Sequence, residues 1–144
     1  MTKVLIIDDE APIRLLCRVN LEAEGMEVVE APDGPTGLEV VERERPDAIL
    51  LDVRMPGLDG WSVAERLLEK EDTRDIPIVF LTARADLRDR ARGMDLGGLD
   101  YITKPFNPVD LASLVEEVVA AVARGEREQL RADKIAELRF LFDV

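Results

Sequence analysis

Short apolar runs alternate along the chain with longer segments in which apolar residues recur every three or four positions. A short apolar run bounded by turn residues indicates a buried strand, and the longer period indicates an amphipathic helix. The predicted strands are residues 3–7, 26–30, 48–52, 76–81 and 101–103. The pattern therefore predicts five strands, each followed by a helix.

Capping residues indicate where several of the helices begin. Asp33 is a plausible N-cap of the second helix, because its side-chain oxygen can accept a hydrogen bond from a first-turn N–H group. Asn107 is placed to cap the fifth helix, with Pro108 at the first helical position. The third helix follows the turn-rich segment 55–60, and the fourth is predicted over about residues 86–96.

Strands that alternate with helices pair in parallel, because each right-handed crossover returns the chain to the same end of the sheet. Such a sheet is covered on both faces, and its strands are apolar throughout, as they are here. The sequence therefore predicts an α/β fold with a doubly wound, five-stranded parallel sheet. In this kind of sheet, ligands bind just beyond the carboxyl ends of the strands.

The composition narrows the function classes. With 144 residues, 47% of them apolar and 35% charged, the chain fits one soluble globular domain with a short appendage. No apolar run approaches the roughly 20 residues that a membrane span needs, so we expect a cytoplasmic protein. A net charge of -12 without a basic run argues against direct nucleic acid binding by this chain. Cys17 has no partner for an internal disulfide and is expected to be a buried thiol.

Polar residues that could carry chemistry stand at the ends of four predicted strands. Asp8 and Asp9 follow the first strand, and the third ends at Asp52. Thr82 follows the fourth strand, and Lys104 the fifth. Three carboxylates brought together repel one another unless a cation lies among them. The chain contains no histidine, so a hard, oxygen-bound cation such as Mg2+ is the expected metal. A lysine and a hydroxyl at the same edge could hold the oxygens of a phosphoryl group.

Each of these residues has an ordinary structural explanation when it is taken alone. Adjacent acidic residues are common at helix starts, and an aspartate often occupies a turn. A threonine often caps a helix, a lysine is usually solvated, and a tyrosine such as Tyr101 is usually a half-buried strand residue. Their joint occurrence at successive strand ends favours a functional site.

Four segments resemble the receiver family of two-component response regulators, and the resemblance extends from residue 3 to about residue 122. The segments are Asp-Asp-Glu after the first strand, Leu-Leu-Asp-Val-Arg-Met-Pro-Gly-Leu-Asp-Gly around Asp52, Leu-Thr-Ala at 81–83 and Tyr-Ile-Thr-Lys-Pro-Phe at 101–106. The resemblance implies a flavodoxin-like strand order of 2-1-3-4-5. It also implies a phosphorelay signalling switch rather than an enzyme that turns over an external substrate.

The resemblance implies roles for individual residues. Asp52 would accept a phosphoryl group from the phosphohistidine of a sensor histidine kinase or a phosphotransfer protein. Asp9, Asp52 and the backbone carbonyl of Arg54 would bind Mg2+ directly, and Asp8 would act mainly through water. Lys104 would contact the phosphoryl oxygens.

The switch that the resemblance implies involves two further residues. Thr82 would turn to hydrogen-bond the phosphate, and Tyr101 would change rotamer with it. The surface formed by the fourth predicted helix, the fifth strand and the fifth predicted helix would then report the phosphorylation to a partner. The bond between Lys104 and Pro105 is expected to be a cis peptide.

Arg54 and Arg84 stand two residues after Asp52 and Thr82, at positions that vary in the family. They would modulate the lifetime of the phosphoryl group, or they are solvated surface cations. The fifth predicted helix lacks the basic residues usual in receivers attached to winged-helix DNA binders, which puts their salt-bridged dimer in doubt. Two other functions fit the fold class but not these residues. An aspartyl-phosphate hydrolase would have a second aspartate where Arg54 stands. A flavodoxin-like nucleotide or flavin module would have a glycine-rich loop after the first strand.

Residues 1–124 are predicted to form the receiver domain, and residues 125–144 a C-terminal extension. Apolar residues of the extension fall on one helical stripe: Leu130, Ile135, Leu138, Leu141 and Phe142. We favour a fifth helix that continues through Gly125, so that this stripe points away from the domain and pairs with a second copy in a homodimer. If the chain bends at Gly125, the extension folds back onto its own domain.

Overall fold

The computed structural model describes residues 1–83 and 98–142. The strands are β1 (Lys3–Ile7), β2 (Glu27–Ala31), β3 (Ala48–Asp52), β4 (Ile78–Ala83) and β5 (Gly98–Lys104). The helices are α1 (Ala11–Ala23), α2 (Gly34–Glu44), α3 (Gly60–Glu69), α4 (Leu111–Ala123) and α5 (Arg127–Phe142), with a 3-10 turn at Pro108–Asp110. The predicted helix over residues 86–96 and Arg84 lie outside the described residues, so α4 corresponds to the fifth predicted helix.

The five strands form one parallel sheet in the order β2-β1-β3-β4-β5. The predicted doubly wound α/β fold and its strand order are confirmed. Every residue of the central strand β3 is buried, as expected for a strand covered on both faces. The register pairs Ile7 with Leu51 and Asp52 with Leu81. The carboxyl ends of β1, β3 and β4 therefore meet at one edge of the sheet.

Alternate side chains of the strands supply two hydrophobic cores, one on each face of the sheet. Ile6 and Leu50 face the core that α1 and α4 cover. Leu51 and Phe80 face the opposite core, which α2 and α3 cover. There the ring centroid of Trp61 lies 4.8 Å from that of Phe80, at an interplanar angle of 50°. Both faces of the strands are thus covered by helices, which leaves the sheet's carboxyl edge as the place for polar residues.

Two expectations from composition can be compared with the structure. Cys17 lies in α1 with no solvent exposure, and burial is the main cause that raises the pKa of its thiol to about 12. The predicted buried thiol is therefore confirmed. Among the described helices, none has both the length and the apolar character needed to cross a bilayer.

The predicted caps are present, but one of them caps a different element. Oδ1 of Asp33 accepts a hydrogen bond from the N–H of Thr36 at 2.8 Å, as predicted for the start of α2. Asn107 accepts from the N–H of Val109 at 3.2 Å and caps the 3-10 turn. The α-helical turns of α4 begin only at Leu111.

The boundaries of two strands differ from their predicted positions. β4 begins two residues later than expected, because the N–H of Ile76 closes a turn onto the carbonyl of Thr73. β5 begins earlier, at Gly98, and is longer than the predicted segment 101–103. The bond between Lys104 and Pro105 is cis, as expected.

The expectation of one helix running unbroken through Gly125 is wrong. Gly125 has a φ of 75°, in the left-handed region that favours glycine. The N–H of Glu126 donates to the carbonyl of Ala121 at 2.8 Å, and the N–H of Gly125 donates to that of Val122 at 3.1 Å. This pair of bonds is the Schellman motif, which ends α4. The chain bends there, and Leu130 of α5 packs against the core between the sheet, α1 and α4.

The bend predicts the sign of a stability change. A Cβ added at Gly125 meets nothing within 4 Å, so Gly125→Ala is strained only by its backbone conformation and should lower the free energy of unfolding by about 1 kcal/mol. Gly125→Asn should cost less, because asparagine tolerates the left-handed region. Chemical denaturation measures both changes. In an unbroken helix, Gly125→Ala would instead be stabilising by about 1 kcal/mol, and that sign would contradict the bend.

Candidate functional site

Three carboxylates lie together at the carboxyl edge of the sheet. Asp8 and Asp9 follow β1, and Asp52 is the last residue of β3. One carboxylate oxygen from each of the three lies within 4.8 Å of the others. Oxygen atoms at this spacing can surround one hard divalent cation. The sequence prediction that these three residues converge is therefore confirmed, and the acidic cluster could hold a metal.

Lys104, at the end of β5, is the cation of the cluster. Its ammonium lies 2.8 Å from Oδ2 of the fully buried Asp8, 3.4 Å from Oδ1 of Asp52 and 3.5 Å from Oε2 of Glu10. Burial alone would lower the pKa of Lys104, but the three carboxylates outweigh it and the pKa is raised. Lys104 therefore remains charged and offsets part of the negative charge.

Asp52 retains an electrostatic cost in this arrangement. Its side chain is buried, and the backbone N–H of Arg54 donates to Oδ1 at 3.3 Å. Burial is the main cause that raises the pKa of Asp52 to about 7; the charge of Asp8 contributes to the rise, and Lys104 opposes it. One ammonium thus does not compensate the cluster fully, and a divalent cation would.

The loop after β3 holds the backbone of Arg54 beside the cluster. A Cβ on Gly60 would collide with the carbonyl oxygen of Asp52, so only glycine permits this approach. The N–H of Gly60 donates to the carbonyl of Val53 at 2.9 Å, and Asp59 caps α3 by accepting from the N–H of Ser62. The segment 53–60 is therefore a tight turn that returns directly to the sheet.

The two predicted switch residues lie on neighbouring strands. Thr82 is buried on β4, and its hydroxyl donates to the carbonyl of Ala83 at 3.2 Å. The register places Thr82 opposite Thr103 of β5 and one residue beyond the partner of Asp52. Tyr101 is half-buried on β5 and packs at the edge of the core between the sheet, α2 and α3. Arg54 has an exposed side chain, and Arg84 lies outside the described residues.

Sequence reasoning missed residues that position the site without belonging to it. The guanidinium of Arg14 donates to the carbonyl of Asp8 at 2.6 Å and is itself held by Glu30 at 3.1 Å. Glu10 approaches Lys104, and Gly60 allows the close turn described above. A signal existed for Gly60, which ends a turn-rich segment directly before a helix. The pair of Arg14 and Glu30 joins α1 to β2, and no sequence pattern indicates that these two residues meet.

Comparisons with known proteins agree with this geometry. The family model for the response regulator receiver domain matches residues 4–116. The phosphate regulon transcriptional regulatory protein PhoB of Pseudomonas aeruginosa is 42% identical over 125 residues, which are 87% of this chain and 55% of that protein. A probable transcriptional regulator, ycf27, of Porphyridium aerugineum is 42% identical over 123 residues, 85% of this chain and 50% of that protein. The chain thus spans about half the length of these relatives.

Solved structures agree as well. The chemotaxis protein CheY4 of Vibrio cholerae superposes with a TM-score of 0.77 at 31% identity, covering 82% of this chain and 98% of that one. A signal receiver domain of a histidine kinase from Syntrophus aciditrophicus gives a TM-score of 0.78 at 33% identity, covering 86% and 94%. With the family match and the acidic strand-end cluster, these likenesses establish that the chain belongs to the receiver domains of response regulators, which act in two-component phosphorelay signalling.

Proposed function

We propose that this receiver domain accepts a phosphoryl group onto Asp52 in a reaction that depends on Mg2+, with a sensor histidine kinase or a phosphotransfer protein as donor. The position of Asp52 carries the proposal. It is a buried carboxylate at the end of the central strand, with Asp8, Asp9 and Lys104 around it. Asp72, in the turn after α3, and the carboxylates of α2 and α3 have no such surroundings among the described residues.

The transfer exchanges one bond to phosphorus for another. A carboxylate oxygen of Asp52 attacks the phosphorus as the bond from phosphorus to the imidazole nitrogen of the donor breaks, and the electron pair leaves with the imidazole. The product is an acyl phosphate on Asp52. The ammonium of Lys104 and the hydroxyl of Thr82 would bind the phosphoryl oxygens. Tyr101 would change rotamer together with Thr82.

The donor set fits Mg2+. The carboxylates of Asp9 and Asp52 and the backbone carbonyl of Arg54 would hold the ion, with Asp8 acting mainly through water. The ion would supply positive charge to oxygens of the transferring group. Asp9 is exposed, whereas Asp8 and Asp52 are buried, so the open side of the cluster is where the ion and the phosphoryl group enter.

The signal would leave through the surface formed by the fourth predicted helix, which lies outside the described residues, with β5 and α4. The chain would catalyse only its own phosphorylation and dephosphorylation. We expect a cytoplasmic location. The relatives are named as transcriptional regulators, and a net charge of -12 favours control of an output partner over DNA contact by this domain itself. We assign the receiver to residues 1–124 and the extension to residues 125–144. A homodimer through residues 126–144 stays a proposal, and Leu130, which packs against its own domain, would not be available to it.

The acceptor can be tested by intact mass after incubation with acetyl phosphate and Mg2+. We expect one phosphoryl adduct on the parent chain, none on Asp52→Asn and none in excess chelator. Asp72→Asn is the matched control, because Asp72 is an exposed carboxylate paired with Arg45 at 3.1 Å. A full adduct on Asp52→Asn, or equal labelling in chelator, would assign the phosphoryl group to another site.

The raised pKa of Asp52 predicts how stability depends on pH without metal. Its folded pKa of about 7 lies above the ordinary 3.8. The associated stabilisation is therefore complete below 3.8 and is lost as pH rises through about 7. In chelator, Asp52→Asn should be more stable than the parent at pH 8 by on the order of 1 to 3 kcal/mol, and the difference should shrink towards pH 5 and vanish only below the ordinary pKa of the carboxyl.

Chemical denaturation across this pH range measures the difference, with Asp72→Asn as the control. Mg2+ should raise the melting temperature of the parent at pH 8, because the ion binds only the folded cluster. An equal rise in Asp9→Ala would place the metal elsewhere. A pH-independent difference between Asp52→Asn and the parent would contradict the electrostatic cost assigned to Asp52.

We propose that Arg54 and Arg84 modulate the lifetime of the acyl phosphate by attracting anions and by orienting or excluding the attacking water. Arg54→Ala and Arg84→Ala should each change the dephosphorylation rate by about twofold or more. Arg43→Ala, at an exposed position on α2, is the control. Loss of the adduct with time is followed by intact mass. Rates equal to the parent in both variants would make these residues ordinary surface cations.

A further inference from the structure

A buried carboxylate on β5 is paired with a cation from the C-terminal helix. Asp100 is 2% exposed, and its Oδ1 accepts from the N–H of Tyr101 at 2.8 Å and from the ammonium of Lys134 at 3.3 Å. Its Oδ2 has no hydrogen-bond partner among the described residues. A buried charge is costly when its partner leaves. The pair between Lys134 and Asp100 therefore helps to hold α5 on the domain.

The same lysine also contacts the neighbouring residue of β5. Its ammonium lies 5.8 Å from the ring centroid of Tyr101, within the range of a cation–π attraction. Lys134 of α5 thus contacts two consecutive residues of β5. It forms an ion pair with Asp100 and a cation–π contact with the ring of Tyr101. Tyr101 is also the residue whose rotamer would change in the proposed switch.

Two further contacts join the first turns of α5 to the domain. The guanidinium of Arg127 donates to the carbonyl of Asp75 at 2.6 Å, and Leu130 packs against the core that α1 and α4 cover. Beyond Lys134 the exposure increases, and Phe140 is 88% exposed. The helix is joined to the domain through the bend at Gly125. Among the described residues, the pair between Lys134 and Asp100 is the buried ionic contact that holds it there.

We propose that α5 is a releasable latch, docked on β5 through Lys134 while Asp52 is unphosphorylated and held less tightly when Asp52 is phosphorylated. This inference rests on the proposed function, and it adds a regulated element to that site. Lys104 stands three residues after Tyr101 on the same strand, and a phosphoryl group on Asp52 would draw its ammonium away from Asp8. A change of the Tyr101 rotamer would move its ring out of the 5.8 Å contact with Lys134, and loss of that cation–π attraction would weaken the docking.

Hydrogen–deuterium exchange on the full chain tests the latch. In Mg2+, the amides of residues 127–137 should exchange about threefold to tenfold faster in the phosphorylated parent than in the unphosphorylated parent, the effect expected when one cation–π contact is lost. Acetyl phosphate is the donor, and intact mass verifies the adduct in the same samples. Asp52→Asn with the same donor should show no change in α5.

Two substitutions on α5 separate the role of Lys134 from a general effect of charge. Lys134→Met should give fast exchange in α5 before any donor is added, with little further change on phosphorylation. Arg139→Met removes one positive charge from an exposed position of the same helix and should behave as the parent. If Lys134→Met also loses protection in β1 and β3, Asp100→Asn replaces it, because asparagine can still accept from the N–H of Tyr101.

The outcomes distinguish the two proposals. A verified adduct with unchanged exchange in α5 overturns the latch and leaves the phosphoryl acceptor intact. Slow exchange in both Lys134→Met and Asp100→Asn also overturns it, because α5 would then be held by other contacts. If no adduct forms on the parent, the proposed function fails, and the trigger of the latch fails with it.

Discussion

The ion pair between Lys104 and Asp8 joins residues that are 96 positions apart, and the site depends on it. Asp8 is fully buried after β1, and Lys104 ends β5 at the other side of the sheet. A buried carboxylate needs a charged or hydrogen-bonding partner, so the lysine must reach across the sheet edge to supply one. That requirement positions the end of β5, and it brings the same ammonium within 3.4 Å of Asp52. The cluster therefore exists only when the whole sheet is assembled.

The ammonium of Lys104 does not neutralise all the carboxylates of the cluster, and the negative charge that remains can attract a cation. The raised pKa of Asp52 reflects burial first and the nearby charge of Asp8 second. A tighter structure could remove the cost by replacing one carboxylate with an apolar residue, since apolar replacements at buried ionic sites are often stabilising. Such a replacement would also remove the affinity for a cation. The carboxylates that lower the stability at this edge of the sheet are thus the same ones that allow it to bind a cation.

The sequence was most informative where burial is uniform. β1 and β3 were predicted to the residue, because strands covered on both faces are continuous apolar runs. The start of β5 was missed, since Gly98 and Asp100 are unusual strand residues. Asp100 is acceptable there because Lys134 pairs with it, and no local pattern connects the two. The site residues were predicted as a set from their strand-end positions, but not the preference of Lys104 for Asp8, which depends on side-chain geometry across the assembled sheet.

The C-terminal helix shows how one dihedral angle changes an inference about partners. Projecting a single helical period through Gly125 placed the apolar stripe away from the domain, whereas the left-handed φ of that glycine turns the helix back onto β5. β5 is an edge strand, and edge strands are commonly covered by other elements. A cover fastened to a buried carboxylate and to an aromatic ring on the strand that ends in Lys104 depends on the position of that strand, and so it can respond to charge at Asp52.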